Sequence, residues 1–412
     1  MPHPTHTFTL PCGMRVVHMQ SPTKVAYCGV VIAAGTRHED ASQYGLAHFC
    51  EHMLFKGTKR RRAWHILNRM EAVGGDLNAY TTKEETFVHT AFMKEHLARA
   101  AELVLDVVFN STWPQHEIEK ECEVIIDEIE SYQDSPAELI YDEFENLLYA
   151  GHSLGHDILG TKERVRSFCH DDLVRFTQQH YSANRMVFFV MGDYETHSVE
   201  RLLTRLSAMV LCKSGNTAVQ IPPQRSVNAG KVHRIHRDTH QTHIMTGCQG
   251  FKAGDSRRTA LYILNNIIGG PGMNSLLNVA LRERRGLVYT VESALTSYTD
   301  TQTFSIYYGC DEADAERCQR IVRNELQRMA DAPLSPKRFD AALRQIRGQI
   351  GVACDNFESY ALDTAKYFLH YNRTETLEET FDRLAAVTPQ QLQDVAAELF
   401  PQENMTTLII GS

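Results

Sequence analysis

Apolar and polar positions follow the same order twice along the chain. Leu77 to Phe92 alternates as a hairpin does, and Lys94 to Val108 then shifts to the wider spacing of a helix. Val288 to Gly309 and Ala313 to Met329 repeat that pair. Each half also closes alike. An amphipathic helix from Leu173 leads through Tyr181 and Asn184 to the apolar run Val187-Phe188-Phe189-Val190-Met191-Gly192-Asp193. The corresponding helix from Leu392 leads through Phe400 and Asn404 to Thr407-Leu408-Ile409-Ile410-Gly411-Ser412. The segment between the halves is polar and contains Pro222-Pro223, as a linker would. Strands mixed with long helices predict an α+β fold of two related tandem domains, each a mostly antiparallel sheet covered by helices on one face. The expected division is 1–212, a linker at 213–230, and 231–412.

One helical segment of the first half carries chemistry. In His48-Phe49-Cys50-Glu51-His52 the histidines are four apart, so on a helix both imidazoles share a face, with the Glu51 carboxylate beside them. Such a pair can grip a single metal ion while the glutamate serves as a base. The order is H-x-x-E-H, the reverse of the H-E-x-x-H peptidase motif. With 20 histidines in the chain, the pattern arises by chance with a probability of roughly several per cent, so context matters. Gly45-Leu46-Ala47 before it and Met53-Leu54-Phe55 after it make the helix largely buried, and Gly57 stops it. Cys50 points away from both histidines, into the core.

Two histidines leave a metal short of protein ligands. The best source of a third is Glu121 to Glu128, where the two end carboxylates are seven apart on one helix face and Val124, Ile125 and Ile126 supply packing.

With these residues assembled, the chain resembles the pitrilysin/insulinase-type metallopeptidases, and among them the short subfamily that includes mitochondrial processing peptidase and its bacterial relatives. Gly74-Gly75-Asp76-Leu77-Asn78-Ala79-Tyr80-Thr81 and Leu159-Gly160-Thr161 carry further parts of the likeness, which spans nearly the whole chain. In that family a glutamate about 76 residues beyond the second histidine completes the zinc site, and Glu128 stands 76 after His52. The resemblance therefore implies one zinc ion per chain, bound by His48, His52 and Glu128, with Glu51 as general base on a metal-activated water and Glu121 orienting the site. In the second half, Leu281-Arg282-Glu283-Arg284-Arg285-Gly286-Leu287-Val288-Tyr289 resembles the family's C-terminal signature, which implies that Arg282 and Tyr289 contact the substrate backbone and stabilise the tetrahedral intermediate. Gly269-Gly270-Pro271-Gly272 looks like the family's glycine-rich loop.

The resemblance also bears on substrate. An extended peptide would add to an edge strand at Asn78, Ala79 and Tyr80, the other reading of these residues being an ordinary hairpin strand. Glu138 and Asp142, four apart, match acids that receive an arginine upstream of the cut. Alternatively, Ser135-Pro136-Ala137-Glu138 is a capping box, in which Glu138 closes its own helix. His152 and His156 sit between glycines in a loop and do not form a second metal site. The expected function is a zinc endopeptidase that cleaves unfolded peptides or precursor segments in an enclosed chamber. The alternatives are a non-catalytic peptide-binding or scaffold subunit, and a processing peptidase dedicated to one precursor.

Composition adds limits. The chain has 412 residues, 43% hydrophobic and 23% charged, which is ample for more than one core. A net charge of −9 argues against nucleic-acid binding, and no apolar run is long enough to cross a membrane. The 10 cysteines lack paired spacing, which suits reduced thiols. Cytoplasm is the expected compartment, a presequence-trimmed organellar or exported form being the alternative. Both signatures occur on one chain, so a homodimer is the expected assembly, with an unlike partner chain as the second possibility.

Overall fold

The structure is a computed structural model that describes residues 3–209 and 222–411; the expected linker positions 213–221 lie outside the described residues. The chain forms two compact units, the first comprising 1–130, 157–219 and 353–376, the second 131–156, 220–352 and 377–412. The expected division at 213–230 is thus crossed by two segments. Residues 131–156 of the first half belong to the second unit, and 353–376 of the second half belong to the first.

The first unit is built on strands β1 (Thr5–Thr9), β2 (Arg15–Gln20), β3 (Val25–Ile32), β4 (Asn78–Thr81), β5 (Thr86–Met93) and β6 (Met186–Gly192). Their order is β1-β2-β6-β3-β5-β4. Only the β2–β6 pair is parallel. Strand β6 is buried at every position, and its period of two explains why. Met186, Phe188 and Val190 enter one core, with the helices Leu46–Met53 and Leu97–Asn110. Val187, Phe189 and Met191 enter another, on the opposite face, with Ala361, Ala365, Phe368 and Leu369 of the helix Phe357–Tyr371. A strand flanked by apolar layers on both sides must be apolar throughout.

The second unit repeats the plan. Strands β7 (Val232–His236), β8 (Thr242–Gln249), β9 (Val288–Ser297), β10 (Gln302–Cys310) and β11 (Thr406–Gly411) lie in the order β7-β11-β8-β10-β9, again with one parallel pair, β7–β11. Ile409 packs with the helices Arg257–Gly269, Ala315–Asp331 and Pro389–Leu399. Leu408 and Ile410 face the other way, onto Leu139, Ile140 and Phe144 of the helix Pro136–Leu148. Each unit is an α+β sheet with most helices on one face, and among the described residues its second face holds a single helix supplied by the other half of the sequence.

Candidate metal centre

The helix Leu46–Met53 begins at Gly45, whose φ of 98° is left-handed and open to glycine at little cost. A Cβ there would also stand 2.6 Å from the carbonyl oxygen of Leu159. The first turn of a helix leaves N–H groups without partners, and the side chain of Glu39 meets them. Its Oε2 accepts from Gly45 N at 3.0 Å and its Oε1 from Ala47 N at 2.6 Å. Burial nevertheless pushes the Glu39 carboxyl up to about 8, against the pull of these amides.

One turn on, His48 and His52 present their rings side by side, with centroids 4.6 Å apart. Glu128, on the long helix Gln115–Gln133, reaches the same point from a different element. Its Oε2 lies 3.8 Å from His48 Nε2 and 3.5 Å from His52 Nε2. The three donor atoms lie within 4.8 Å of one another. Burial pushes the His48 imidazole down to about 3, with His52 adding to the effect. His52 is also lowered, chiefly by burial. Burial thus disfavours the charged form of both rings, as metal ligation by imidazole requires.

Glu51 is buried beside this cluster. Burial first, and then the charge of Glu128, push its carboxyl up to about 8. The buried Thr81 hydroxyl, which has no well-aligned hydrogen bond, works against that rise. Glu121, seven residues before Glu128 and buried, turns to Lys56, with Nζ 2.6 Å from its Oε2. Neither Lys56 nor a role for Thr81 beside Glu51 is read from the sequence. Lys56 falls four residues after His52, a spacing that could have suggested it; nothing local links Thr81 to Glu51.

Among the described residues strand β4 is the outermost of its sheet, paired only with β5, so Asn78, Ala79 and Tyr80 do lie on an edge. It touches the helix Leu46–Met53. Tyr80 stacks on Phe87 at 4.6 Å between ring centroids.

Four other residues named from the sequence belong to the second unit. Glu138 is exposed in the first turn of Pro136–Leu148 and Asp142 is half-buried. Pro136 opens that helix as expected, but Ser135 makes no side-chain capping bond, so the capping-box account of Glu138 fails: Ser135, at φ −111° and ψ 87°, does not direct its hydroxyl to the helix amides. Arg282 lies in the last part of a helical turn, Asn278–Glu283, and Tyr289 is the second residue of β9, with 79% of its surface exposed. The Arg282 guanidinium stands 5.8 Å from the centre of the Tyr289 ring. His152 and His156 fall in a loop, as expected.

A second cluster of acids and histidine, Glu84, Glu85 and His370, also brings its donor atoms within 4.8 Å of one another. Its carboxylates are already matched by cations: Arg37 Nη1 is 2.7 Å from Glu84 and Lys366 Nζ is 3.0 Å from Glu85. It is an ion-pair network.

Comparison with known proteins agrees with this class of fold. Residues 15–162 match the family described as "Insulinase (Peptidase family M16)", and residues 167–346 match "Peptidase M16 inactive domain". The chain is 31% identical over 409 residues to the uncharacterized zinc protease YmxG of Bacillus subtilis, covering 98% of each chain. It is 30% identical over 406 residues to an uncharacterized zinc protease of Streptomyces coelicolor, covering 97% of this chain and 88% of that one. A solved protease from Helicobacter pylori has the same fold, with a TM-score of 0.91 at 20% identity and full coverage of both chains. The protein belongs to the M16, insulinase-type, peptidase family. Among the described residues no helix is long and apolar enough to cross a membrane.

Proposed function

We propose that the protein is a zinc-dependent endopeptidase acting on extended peptides. The observation that carries this reading is the convergence of His48 Nε2, His52 Nε2 and Glu128 Oε2 beside a buried glutamate on the same helix. Zinc takes imidazole and carboxylate ligands at about 2.0–2.2 Å, so in a tetrahedral site its ligands stand about 3.3–3.6 Å apart. The 3.5 and 3.8 Å separations suit that geometry, and the neutral imidazoles suit the donor chemistry. When bound, zinc would polarise the scissile carbonyl and acidify water.

The remaining steps fall to side chains. Glu51 takes the proton of the attacking water and delivers it to the leaving amine. Its place on the same helix as His48 and His52 puts that carboxylate beside a metal-held water. The free edge of β4 offers backbone groups to an extended substrate, which gives affinity with little demand on side chains. Arg282 and Tyr289 are our candidates for donors to the substrate backbone and the developing oxyanion. Glu138 and Asp142 are our candidates for receiving a basic side chain. One chain carries all these residues, and we propose a homodimer as its assembly; a purely monomeric active species in gel filtration would overturn that part.

Glu51→Gln tests the core of the proposal. The variant should keep its zinc while cleavage of internally quenched peptides falls by about a hundredfold or more. Turnover retained in that variant would overturn the reading.

A further inference from the structure

The edge strand β4 is short, and a strand of four residues at the rim of a sheet has little to hold it straight. Its hairpin with β5 is fastened at the tip from two directions. From the first half, Thr36 N and Arg37 N donate to the carbonyls of Thr82 and Lys83 at 3.2 and 2.7 Å, and Arg37 pairs with Glu84. From the second half comes the helix Phe357–Tyr371. His370 Nε2 lies 2.5 Å from Glu85 Oε1, and Lys366 Nζ lies 3.0 Å from Glu85 Oε2. Thr82 Oγ1 donates to that same Oε2 at 2.7 Å, which joins the turn to the ion pair.

The helix follows the hairpin further along. Glu358, three turns before His370, stands 3.3 Å from Nδ1 of His89, the residue opposite Asn78 in the β4–β5 register. Phe87, opposite Tyr80, packs into the same apolar layer as Ala361, Ala365 and Phe368. Burial works against the Glu85 charge, yet His370, Lys366 and Thr82 hold its carboxyl down at about 2. A buried acid stays ionised only when its partners are close, and here three side chains meet its two oxygens.

We propose that Glu85, gripped by Lys366 and His370, is a positioning residue that holds the β4 edge in register to receive an extended peptide. Residues far along the sequence from the metal cluster thereby set substrate affinity without touching substrate. The inference rests on the peptidase reading above, but its physical content is the order of the hairpin, which can be read without catalysis.

The experiment uses the full chain and compares wild type with the double variant His370→Ala, Lys366→Met and with the single variant His370→Gln, which keeps a donor toward Glu85. In metal-free protein, amide hydrogen exchange within Asn78–Thr81 and Thr86–His89 should quicken by about tenfold or more in the double variant, while β3 and β6 keep their protection. With zinc, KM for an internally quenched peptide should rise about fivefold or more while kcat stays within about twofold, since a template lost affects binding rather than the chemical step. His370→Gln should stay close to wild type in both readouts. Unchanged hairpin exchange, a fall in kcat at constant KM, or exchange rising equally in every strand would each overturn the proposal. A wild-type protein that cleaves no peptide would instead overturn the peptidase reading, and the exchange result would still decide this one.

Discussion

Glu39 Oε1 accepts the backbone N–H of Ala47 at 2.6 Å, and that single side chain fixes where the histidine helix begins. The bond joins a loop before the helix to the turn that carries His48. Glu39→Ala strands the Gly45 and Ala47 amides in the interior, and an unmatched buried donor costs about 1–3 kcal/mol. The variant should unfold at lower urea concentration and bind zinc more weakly, whereas Glu39→Gln, which keeps one acceptor, should lose less of both.

The metal cluster predicts a sharp ligand dependence. Glu128→Gln and His52→Ala each remove one of the converging donors. Each should weaken zinc binding by at least about a hundredfold with the fold intact. Metal content after gel filtration measures the first effect and circular dichroism the second; full zinc retention in both variants would count against the cluster.

Lys56 and Glu121 should behave as a unit. The carboxylate is buried and the ammonium partly so, at 2.6 Å. Lys56→Met leaves the acid without its partner and should cost about 1–3 kcal/mol, while adding Glu121→Gln should restore much of that loss. A double-mutant cycle in urea reads the coupling directly; strict additivity would show that the two do not interact.

A pH dependence follows from Glu51 in the metal-free protein. Its folded pKa of about 8 stands above the ordinary value of 4.5. Between those pH values the folded chain keeps a proton that the unfolded chain has released, so stability falls as pH rises through that window. The contribution is fully present below about 4.5 and gone above about 8. The depression of His48 acts in the opposite sense, but it is shared with Glu51→Gln. Wild type should therefore lose stability relative to Glu51→Gln between pH 5 and 8, in about the range set by this shift, and run parallel to it above. Urea melts in chelator across this range are the measurement.

Phe368 packs against the first unit's sheet, although it lies in the second half of the sequence. Phe368→Ala should cost about 3–5 kcal/mol, as for other buried aromatic truncations. The loss should register as faster hydrogen exchange in β2, β3 and β6; protection unchanged in those strands would show that the helix contributes little to them.

Much of the site was legible because its logic is local. His48, Glu51 and His52 share a helix, and the helical period alone puts the two rings together. Glu121 and Glu128 share another helix in the same way. The apolar alternation gave the two hairpins, and the apolar runs at β6 and β11 were legible as buried strands, although cover was expected on one face of each sheet only. None of this required knowing what lay opposite.

What lay opposite was settled only by tertiary structure. A continuous apolar strand states that both faces are covered, but any amphipathic helix satisfies it, so the exchange of 131–156 and 353–376 leaves no local trace. The same holds for Glu39 under the helix start, Thr81 beside Glu51, and Glu85 beside His370, 285 residues away. Periodicity reports which side of an element is buried, whereas the identity of a buried charge's partner depends on how the chain closes long loops, and the sequence around each residue carries no record of that choice.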